Sequence, residues 1–596
     1  MTLQLDIYLE NTVIPIQVEK GQNLLQILGE NNFSISSPCG GNKSCGKCKV
    51  KLIAGEVPLT DSERELLSST EIEKGIRLAC CLELYDNLAI ELIEEGQIQI
   101  VTTGIRRPIE FDPIIQIDYF NNDQIGKDNN QSYLDLLYKK SSTDNIRLSN
   151  LQELANLTDS EGFYILSSQN EVLAVSQQSF NNVYGLAVDI GTTTVAVYLM
   201  DLITGKEVDV ESFHNPQKKF GADVISRINY SQKNGSVQEV QDTLVKAMNQ
   251  AIKKLSVRND ISRDNIYILT AVGNTTMLHF FLAVNPVSIG RTPYRPVFTD
   301  LQEVPAASIN IDINPQGIVQ VLPAVSGYVG SDIIANLLIS DFASNKWNLL
   351  IDVGTNGEIV LGNKHIMLAC SAAAGPAFEG ANISFGVAGV PGAVSKFRIT
   401  EEKEFTYQTI DAKKAIGICG SGLIDIIAEM LGYNIITSTG AFNQEIDQSF
   451  LSKISNYKDM KALKILNSDD SALDSPIYLT QKDVREVQLA KGAIAAGIKI
   501  LLKEAGIKYE DIEKIYLAGG FGSFVNAENA CKIGMLPKNM EEKIIKIGNG
   551  AGLGAKAFLL DKKQYDKIEN IINRIEYIEL SLRLDFQNEF MMSMEF

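Results

Sequence analysis

The stretch YGLAVDIGTTTVAVYLMD, residues 184–201, decides the fold of the largest part of this chain. Apolar residues flank the turn DIGTTT on both sides, so the segment predicts a strand, a turn and a second strand. The stretch WNLLIDVGTNGEIVLGN, residues 347–363, repeats the order apolar–Asp–apolar–Gly–Thr about 160 residues later. Helical patterns lie between the predicted strands, as an α/β domain requires. The sequence therefore predicts an α/β domain of two related halves over 183–596.

Both turns have the composition of a phosphate-binding loop. A strand–turn–strand of this kind exposes backbone amides and hydroxyl groups to phosphate oxygens. In the first turn Asp189 is placed to hold Mg²⁺ through water, which would neutralise the phosphate charge. The residues predicted to contact phosphate are Gly191, Thr192, Thr193 and Thr194 in the first turn and Gly354, Thr355 and Asn356 in the second.

A third stretch, YLAGGFGSFVN at 516–526, completes the predicted nucleotide site. Gly519, Gly520 and Phe521 follow a predicted strand, where a base or ribose can lie against bare backbone. One Asp–apolar–Gly–Thr turn alone is a weak signal, because an ordinary turn explains many such matches. Two of them followed by this third stretch are much stronger. The P-loop pattern GxxxxGK[ST] does not occur in the sequence.

Four cysteines near the N-terminus have the spacing of iron–sulfur ligands. Cys39, Cys45, Cys48 and Cys80 stand in PCGGNKSCGKC and RLACC, with five, two and thirty-one residues between them. This spacing resembles that of plant-type and adrenodoxin-like 2Fe-2S ferredoxins. A structural zinc site is the weaker alternative, because zinc more often takes paired CxxC ligands. The neighbouring Cys81 is interpreted as a buried thiol, with Cys80 as the fourth ligand.

The remaining cysteines, Cys370, Cys419 and Cys531, are scattered along the chain. Three isolated thiols cannot build a second four-cysteine cluster without another ligand, and free cysteine is among the residues most often buried. We therefore predict that all three belong to the core.

The charge and composition of the chain indicate which kinds of partner and which cellular location to expect. The formal net charge of −19 at pH 7 would repel nucleic-acid phosphates, so a nucleic-acid partner is not expected. The N-terminal residues lack a basic stretch followed by an apolar run, so a signal peptide is not predicted. The most apolar windows are interrupted by Asp, Asn or Lys, and no membrane span is expected. These features predict a cytoplasmic protein.

The order of patterns along the chain divides it into four segments. Residues 1–95 alternate predicted strands and short helices around the cysteine loop, which suits a β-grasp ferredoxin domain. Residues 96–120 are predicted to be a linker, and 121–182 a small middle domain with a helix near 147–157 and a hairpin around FYILSSQNEVLAVS, 163–176. Residues 183–596 form the predicted two-part domain.

The three glycine-rich stretches are similar to the phosphate 1, phosphate 2 and adenosine motifs of the acetate-kinase, sugar-kinase, heat-shock-chaperone and actin superfamily. The segments GNTTMLHFF at 273–281 and GNGAGLGAKAF at 548–558 resemble its connecting segments around the interdomain hinge. Alternatively, they are helix starts packed through small residues. The resemblance implies an actin-like, ribonuclease H-like duplicated ATPase domain.

As a whole, the chain resembles the reductive activators of corrinoid proteins. That family joins a 2Fe-2S domain, a linker and a middle domain to this ATPase domain, and the segments 371–386, 417–425 and 577–596 also match it. The resemblance implies that ATP hydrolysis drives one electron through the cluster to return Co(II) to Co(I) for methyl transfer. It implies a corrinoid partner and an unidentified low-potential electron donor, and it leaves a homodimer open. Asp352 or Glu358 is the candidate for positioning the attacking water, with Asp189 on Mg²⁺.

Three other functions fit parts of the sequence. A small-molecule kinase would need an acceptor pocket that the sequence does not identify. A nucleotide-gated, chaperone-like binding module would carry a cluster that is only structural. An activator of an acyl-CoA dehydratase would carry its cluster on the nucleotide domain rather than in a separate N-terminal unit. The Gly- and Ala-rich segment 371–392 is either a surface that contacts the corrinoid partner or tightly packed backbone.

Overall fold

The structure of the chain is a computed structural model. It describes residues 2–9, 12–31, 33, 35, 41, 43, 46, 48–67, 69–92, 111–121, 131–141, 143–158, 160–168, 171–221, 223–233 and 236–596. Cys39, Cys45 and most of the predicted linker lie outside these residues. Within the part of the chain that is described, no helix is long and apolar enough to cross a membrane.

The N-terminal segment forms a five-stranded sheet in the order β2-β1-β5-β3-β4. Strands β1 and β2 pair in antiparallel fashion, and β1 pairs with β5 in parallel. Helix α1 adds Leu24, Ile27 and Leu28 to the core beneath the sheet. This is the predicted β-grasp fold. Its elements are β1 Thr2–Leu9, β2 Thr12–Glu19, α1 Leu24–Glu30, β3 Lys49–Ala54, α2 Asp61–Leu66, α3 Ser69–Glu73, β4 Ile76–Leu78 and β5 Leu88–Leu92.

A small three-stranded sheet, in the order β6-β7-β8, follows. Helices α4 and α5 cover its core, to which they add Leu137, Leu154 and Leu157. Residues 116–120, which the sequence assigned to the linker, lie in strand β6 of this sheet. The boundaries of the four segments stay a prediction. The elements are β6 Gln116–Asn121, α4 Tyr133–Ser141, α5 Leu148–Leu157, β7 Gly162–Ser167 and β8 Val172–Ser176.

The first half of the large domain contains a six-stranded sheet in the order β11-β10-β9-β12-β14-β13. Strands β9, β10 and β11 form an antiparallel meander, and β12 and β14 continue the sheet in parallel beyond β9. The elements are β9 Tyr184–Ile190, β10 Thr194–Asp201, β11 Glu207–His214, α6 Val224–Lys233, α7 Val237–Arg258, β12 Ile266–Gly273, α8 Thr275–Phe281, β13 Gln302–Pro305, β14 Ile318–Val321 and α9 Ser331–Leu338.

The second half repeats this topology in a sheet with the order β25-β24-β15-β16-β17-β26. A meander of β15, β16 and β17 is followed beyond β15 by the parallel strands β24 and β25. The shared order confirms the predicted duplication. The elements are β15 Trp347–Val353, β16 Gly357–Gly362, β17 Met367–Ala372, β18 Ala393–Ile399, β19 Phe405–Thr409, β20 Gly417–Ile418, α10 Gly420–Gly432, α11 Gln448–Leu451, β21 Ile454–Tyr457, β22 Met460–Leu466, β23 Ile477–Thr480, α12 Gln481–Ala505, β24 Ile512–Ala518, α13 Gly519–Phe524, α14 Ala527–Lys532, β25 Ile544–Gly548, α15 Gly550–Leu560, α16 Lys563–Ile572, β26 Ile575–Tyr577 and α17 Leu584–Ser593.

Helices α9 and α15 join the two halves. Helix α9 runs from the first sheet into β15, and α15 follows β25 and packs back against β9 and β12. The two helices cross in close contact because Gly554 of α15 lies against Ala335 of α9, where a Cβ atom would stand 2.1 Å from the Ala335 carbonyl oxygen. The segment around GNGAGLGAKAF is therefore both a helix packed through small residues and a connection between the halves.

Candidate nucleotide and iron–sulfur sites

The first predicted phosphate loop is a tight turn between β9 and β10. The Gly191 amide donates to the Thr194 carbonyl oxygen at 2.9 Å. A Cβ atom at Gly191 would lie 2.7 Å from that oxygen, so only glycine fits this turn. Strand β9 delivers Asp189 just before the turn, opposite Ala196 of β10.

Three side chains from other parts of the domain hold this loop, and two of them, Asn215 and Arg227, were not singled out in the sequence. Asn215 donates to the Gly191 carbonyl oxygen at 2.8 Å, and the buried Arg227 donates to the Thr192 carbonyl oxygen at 2.6 Å. Asn274 donates to the Thr192 hydroxyl at 3.0 Å while its side chain caps α8. Asn274 lies within the GNTT segment, so this segment supports the loop and begins a helix.

The second predicted phosphate loop is also a turn between two antiparallel strands, β15 and β16. The Gly354 amide donates to the Asn356 carbonyl oxygen at 2.9 Å. Asp352 and Glu358 are direct partners across the two antiparallel strands. The Thr355 hydroxyl donates to the Glu379 carboxylate at 2.9 Å, which connects this loop to the segment after β17.

The third stretch reaches the second loop because β24 lies parallel to β15, with Ala518 opposite Asp352. Gly519 has a φ of +88°, and a Cβ atom there would lie 2.6 Å from a carboxylate oxygen of Asp352. A Cβ atom at Gly520, in contrast, would meet no atom within 4 Å. The side chain of Phe521 lies outside the described residues. The structure thus brings the start of α13 against the second loop.

Four carboxylates meet in the cleft between the two loops: Asp189, Asp332, Asp352 and Glu358. Asp332, in the first turn of α9, was not predicted from the sequence. Each side chain is surrounded by protein, although part of its surface still meets the cleft. Burial raises the pKa of Asp189 and of Asp332 to about 7 and that of Asp352 to about 6. Burial, followed by the charges of Asp332 and Asp352, raises the pKa of Glu358 well above its usual range.

This cluster fits a cation that it shares with phosphate oxygens and water. Among the described residues, no three His, Cys, Asp or Glu side chains are close enough to hold a metal ion by themselves. Mg²⁺ usually keeps several waters and takes only one or two protein carboxylates beside substrate phosphates. Buried carboxylates that repel one another provide the negative charge that such an ion would neutralise.

One asparagine from each crossing helix holds one of the loop aspartates. Asn336 of α9 is fully buried and donates to Asp352 at 2.7 Å. Asn549, which caps α15, hydrogen-bonds the Asp189 carboxylate and donates to the Tyr198 hydroxyl at 3.2 Å. The two loops are therefore tied to the helices that join the halves. Neither asparagine could be recognised without knowing that α9 and α15 cross.

We expect Asp332→Asn to stabilise the chain without metal or nucleotide at pH 8. The raised pKa of Asp332 means that the folded chain holds a proton which the unfolded chain has released, so stability falls as pH rises from about 4 to about 7. Removing this carboxylate should raise the free energy of unfolding by about 1–3 kcal/mol at pH 8 and by less at pH 5. Thermal unfolding with a chelator at both pH values measures this. Asp300→Asn, at an exposed position, is the control. A lower melting temperature for Asp332→Asn at pH 8 would contradict the prediction.

Two of the four predicted cluster ligands are described, and they adjoin each other. Cys48 precedes β3, and Cys80 follows β4, which pairs with β3. Both thiols are buried, and the Cys80 amide donates to the Cys48 sulfur at 3.5 Å. Hydrogen bonding from the Cys80 thiol lowers the pKa of Cys48 to about 7, and the same bond raises the pKa of Cys80. An ionised thiolate is the form that binds iron. Paired buried thiols with an amide aimed at sulfur fit a 2Fe-2S cluster.

Cys81 is buried, and its sulfur lies 3.9 Å from that of Cys80. We expect Cys81→Ala to keep the cluster and Cys80→Ala to lose it, because only Cys80 aims its amide at Cys48. Iron content and the visible spectrum measure both variants under identical purification. Loss of iron from Cys81→Ala with retention by Cys80→Ala would move the fourth ligand to Cys81.

The other predicted features of the ATPase domain also have defined positions. Cys370, Cys419 and Cys531 are buried in separate parts of the domain, as predicted. In the Gly- and Ala-rich segment 371–392, Gly380 and Gly386 pack backbone against backbone. A Cβ atom at Gly386 would lie 2.2 Å from the Gly380 carbonyl oxygen. Tight packing therefore accounts for these two glycines, and contact with a partner stays a prediction.

Three models of known protein domains match most of the chain. Residues 7–84 match the 2Fe-2S iron–sulfur cluster binding domain, 184–345 match the RACo middle region, and 346–596 match the C-terminal ASKHA domain of RACo. The family's middle region thus corresponds to the first half of the duplicated domain rather than to the small sheet before it. The matched range agrees with the duplication, because residues 184–345 contain the whole of the first six-stranded sheet.

Relatives and a solved structure cover nearly the same length. The corrinoid activation enzyme RamQ of Eubacterium limosum is 33% identical over 595 residues, which are 98% of this chain and 97% of the relative. The Co(II) methylated amine-specific corrinoid protein reductase of Methanosarcina barkeri is 27% identical over 69% of this chain and 77% of its own length. The structure of a reductive activator for a corrinoid, iron–sulfur protein matches with a TM-score of 0.73 and 30% identity, covering 100% of this chain and 98% of that one. The chain therefore belongs to the family of reductive activators of corrinoid proteins, which join a 2Fe-2S domain to an actin-like ATPase domain.

Proposed function

We propose that this chain couples ATP hydrolysis to the one-electron reduction of a corrinoid protein, converting inactive Co(II) to Co(I) for methyl transfer. The observation that carries the proposal is the presence of both sites in one chain: paired buried thiols on a β-grasp sheet, and two phosphate loops around four carboxylates. Its relative over 98% of the chain is named a corrinoid activation enzyme. The electron comes from a low-potential donor, and a homodimer stays a prediction.

The residues of the cleft have three proposed roles, which are to bind Mg²⁺, phosphate and adenosine. Asp189 would hold Mg²⁺ through water, and the bound ion would supply positive charge against the phosphates during hydrolysis. Phosphate oxygens contact the two loops, and the adenosine lies against the start of α13. The residues assigned to these contacts are Gly191, Thr192, Thr193, Thr194, Gly354, Thr355, Asn356, Gly519, Gly520 and Phe521.

Asp352 is the better of the two candidates for orienting the attacking water. A water-orienting carboxylate must be ionised at neutral pH. The pKa of Asp352, about 6, leaves it ionised at pH 7.5, and Asn336 fixes its direction. Burial raises the pKa of Glu358 well above its usual range, which disfavours its ionised form. Glu358 then positions Asn356, to which it hydrogen-bonds.

Hydrolysis is needed because the reduction is uphill from ordinary donors. Each ~59 mV of deficit costs a factor of about ten in a one-electron equilibrium. ATP can shift this equilibrium only if two conformations of the chain differ in their affinity for nucleotide and for the partner. Helices α9 and α15 supply the joint between the halves, and each binds a loop aspartate through one asparagine. When bound at Cys39, Cys45, Cys48 and Cys80, the 2Fe-2S cluster carries the single electron.

The experiment is an anaerobic mixture of the chain, a corrinoid protein of a methyltransferase system, a reductant and Mg-ATP. The absorption spectrum of the cobalt centre is followed with time. We expect Co(I) to accumulate with Mg-ATP, and to accumulate far more slowly when ATP is omitted. Equal rates with and without ATP would contradict coupling. Absence of Co(I) across candidate corrinoid proteins, from a chain that hydrolyses ATP and holds a reducible cluster, would contradict the proposed substrate.

A further inference from the structure

Among the described residues, the β-grasp domain contacts the ATPase domain at the β21–β22 hairpin and at Asp474, which precedes β23. The turn between β21 and β22 consists of Lys458 and Asp459, both with left-handed φ values of 47° and 62°. The Lys458 ammonium donates to the carbonyl oxygens of Glu65 at 3.2 Å and Leu66 at 3.1 Å. These carbonyls end helix α2, where the helix dipole is negative and favours a cation. A second contact, between Lys74 and Asp474, forms an ion pair of 2.8 Å.

This contact lies beside the predicted cluster loop. A Cβ atom at Gly46, between the predicted ligands Cys45 and Cys48, would lie 3.3 Å from the Leu66 Cβ atom. Leu66 is thus close both to Gly46 of the loop and to the Lys458 ammonium. Burial, followed by the charge of Glu71 in α3, raises the pKa of Tyr457, the residue before Lys458. The hairpin therefore touches the part of the β-grasp domain that carries the cluster.

The hairpin is also connected to the second phosphate loop by a continuous series of contacts. Thr355 of that loop donates to Glu379, at the start of the tightly packed segment 380–386. Phe385, near the end of that segment, places its ring centroid 5.2 Å from that of Tyr457. Ser384 anchors it to the buried Asp483 through its amide at 2.8 Å and its hydroxyl at 3.0 Å. A change at Thr355 can therefore reach the hairpin through packed groups.

We propose that the β21–β22 hairpin is the docking site for this chain's own 2Fe-2S domain, and that segment 376–386 makes the docking respond to nucleotide. The inference rests on the proposed function, because it explains how the ATPase cleft can control a cluster carried on another domain. The contacts are few and exposed to solvent, so each is weak and sensitive to salt. Weak docking suits a domain that must leave this position to deliver an electron.

The test uses an amine-reactive cross-linker on the full, iron-loaded chain. The reporter is the cross-link between Lys74 and Lys414. Both lysines lie near Asp474, and their charges lower its pKa. Lys458→Glu should reduce the yield of this cross-link roughly fivefold relative to cross-links within the ATPase domain, because a carboxylate would face the α2 carbonyls. Lys458→Arg should keep it. Lys461→Glu, an equal charge reversal at an exposed position on the same hairpin, is the matched control and should also keep it.

Nucleotide dependence is measured by the same reporter. Mg-ATP should change the cross-link yield of the wild-type chain by at least about twofold. Phe385→Leu, which removes the ring contact with Tyr457, should still hydrolyse ATP but lose this response. Wild-type cross-linking in Lys458→Glu would overturn the docking site, and a wild-type yield unchanged by Mg-ATP would overturn its response to nucleotide. Neither readout uses a corrinoid protein, so a failure of corrinoid reduction alone would contradict the proposed function and leave the docking site standing.

Discussion

The Asp352→Ala protein is expected to hydrolyse Mg-ATP at least about 100-fold more slowly than the wild-type chain. Asp352 is the next-to-last residue of β15, and its carboxylate lies close to both Gly519 and Asn336. Its pKa is raised to about 6 by burial, and it accepts a hydrogen bond from Asn336, so its removal takes away both a negative charge and the positioning of the attacking water. Phosphate release at saturating Mg-ATP measures the rate. Asp189→Ala is expected to have a comparable effect, through loss of Mg²⁺.

Two controls separate chemistry from folding. Removing Asp352 leaves the buried Asn336 amide without its partner, which costs about 1–3 kcal/mol of stability. It also removes a buried charge whose raised pKa opposes folding at neutral pH, so the two effects on stability partly cancel. Asp352→Asn keeps the shape and removes only the charge, so it should be as inactive as the alanine variant while unfolding closer to wild type. The visible spectrum of the iron–sulfur domain should be unchanged in each. Wild-type turnover by either Asp352 variant would show that the nucleotide binds elsewhere.

The second large effect is expected at the cluster. Cys48→Ala, and equally Cys45→Ala, should reduce the iron content from about two per chain to near zero, because a 2Fe-2S cluster needs four protein ligands. The protein should lose its red-brown colour and all corrinoid reduction, while Mg-ATP hydrolysis continues. Iron assay, visible spectroscopy and phosphate release on one preparation measure the three properties.

The matched control is Cys370→Ala, which removes an equally buried thiol from the ATPase domain. It should keep the full iron content. Full iron retention by both Cys45→Ala and Cys48→Ala would contradict the ferredoxin site, and loss of iron from Cys370→Ala would place a ligand in the other domain.

The features that could be predicted from the sequence are those formed by a few consecutive residues. Both turns could be recognised because each is a few consecutive residues between two apolar strands, and in the first of them only glycine fits at position 191. The cysteine spacing and the strand–turn–strand repeat are local for the same reason. The duplication followed from the repeat, and the shared strand order of the two six-stranded sheets confirms it.

The residues that the sequence did not reveal are those that act across elements. Asp332 joins the carboxylate cluster only because α9 begins at the cleft, and Asn336 and Asn549 reach their aspartates only because α9 and α15 cross. Arg227 is fully buried and supports a backbone carbonyl 35 residues away in sequence. A buried charge paired with backbone has no sequence pattern.

Strand β6 was missed within the predicted linker because its partner, β7, lies about 40 residues further along.

The most direct test of the central claim is a single-turnover experiment with no reductant left in solution. The chain is first reduced, freed of excess reductant, and mixed with a Co(II) corrinoid protein. With Mg-ATP we predict that each reduced cluster yields up to one Co(I), with the cluster oxidised at the same rate. The Asp352→Ala protein, carrying an equally reduced cluster, should yield almost none. Equal Co(I) from wild type without ATP, or from Asp352→Ala with it, would show that the cluster passes its electron without the ATPase domain.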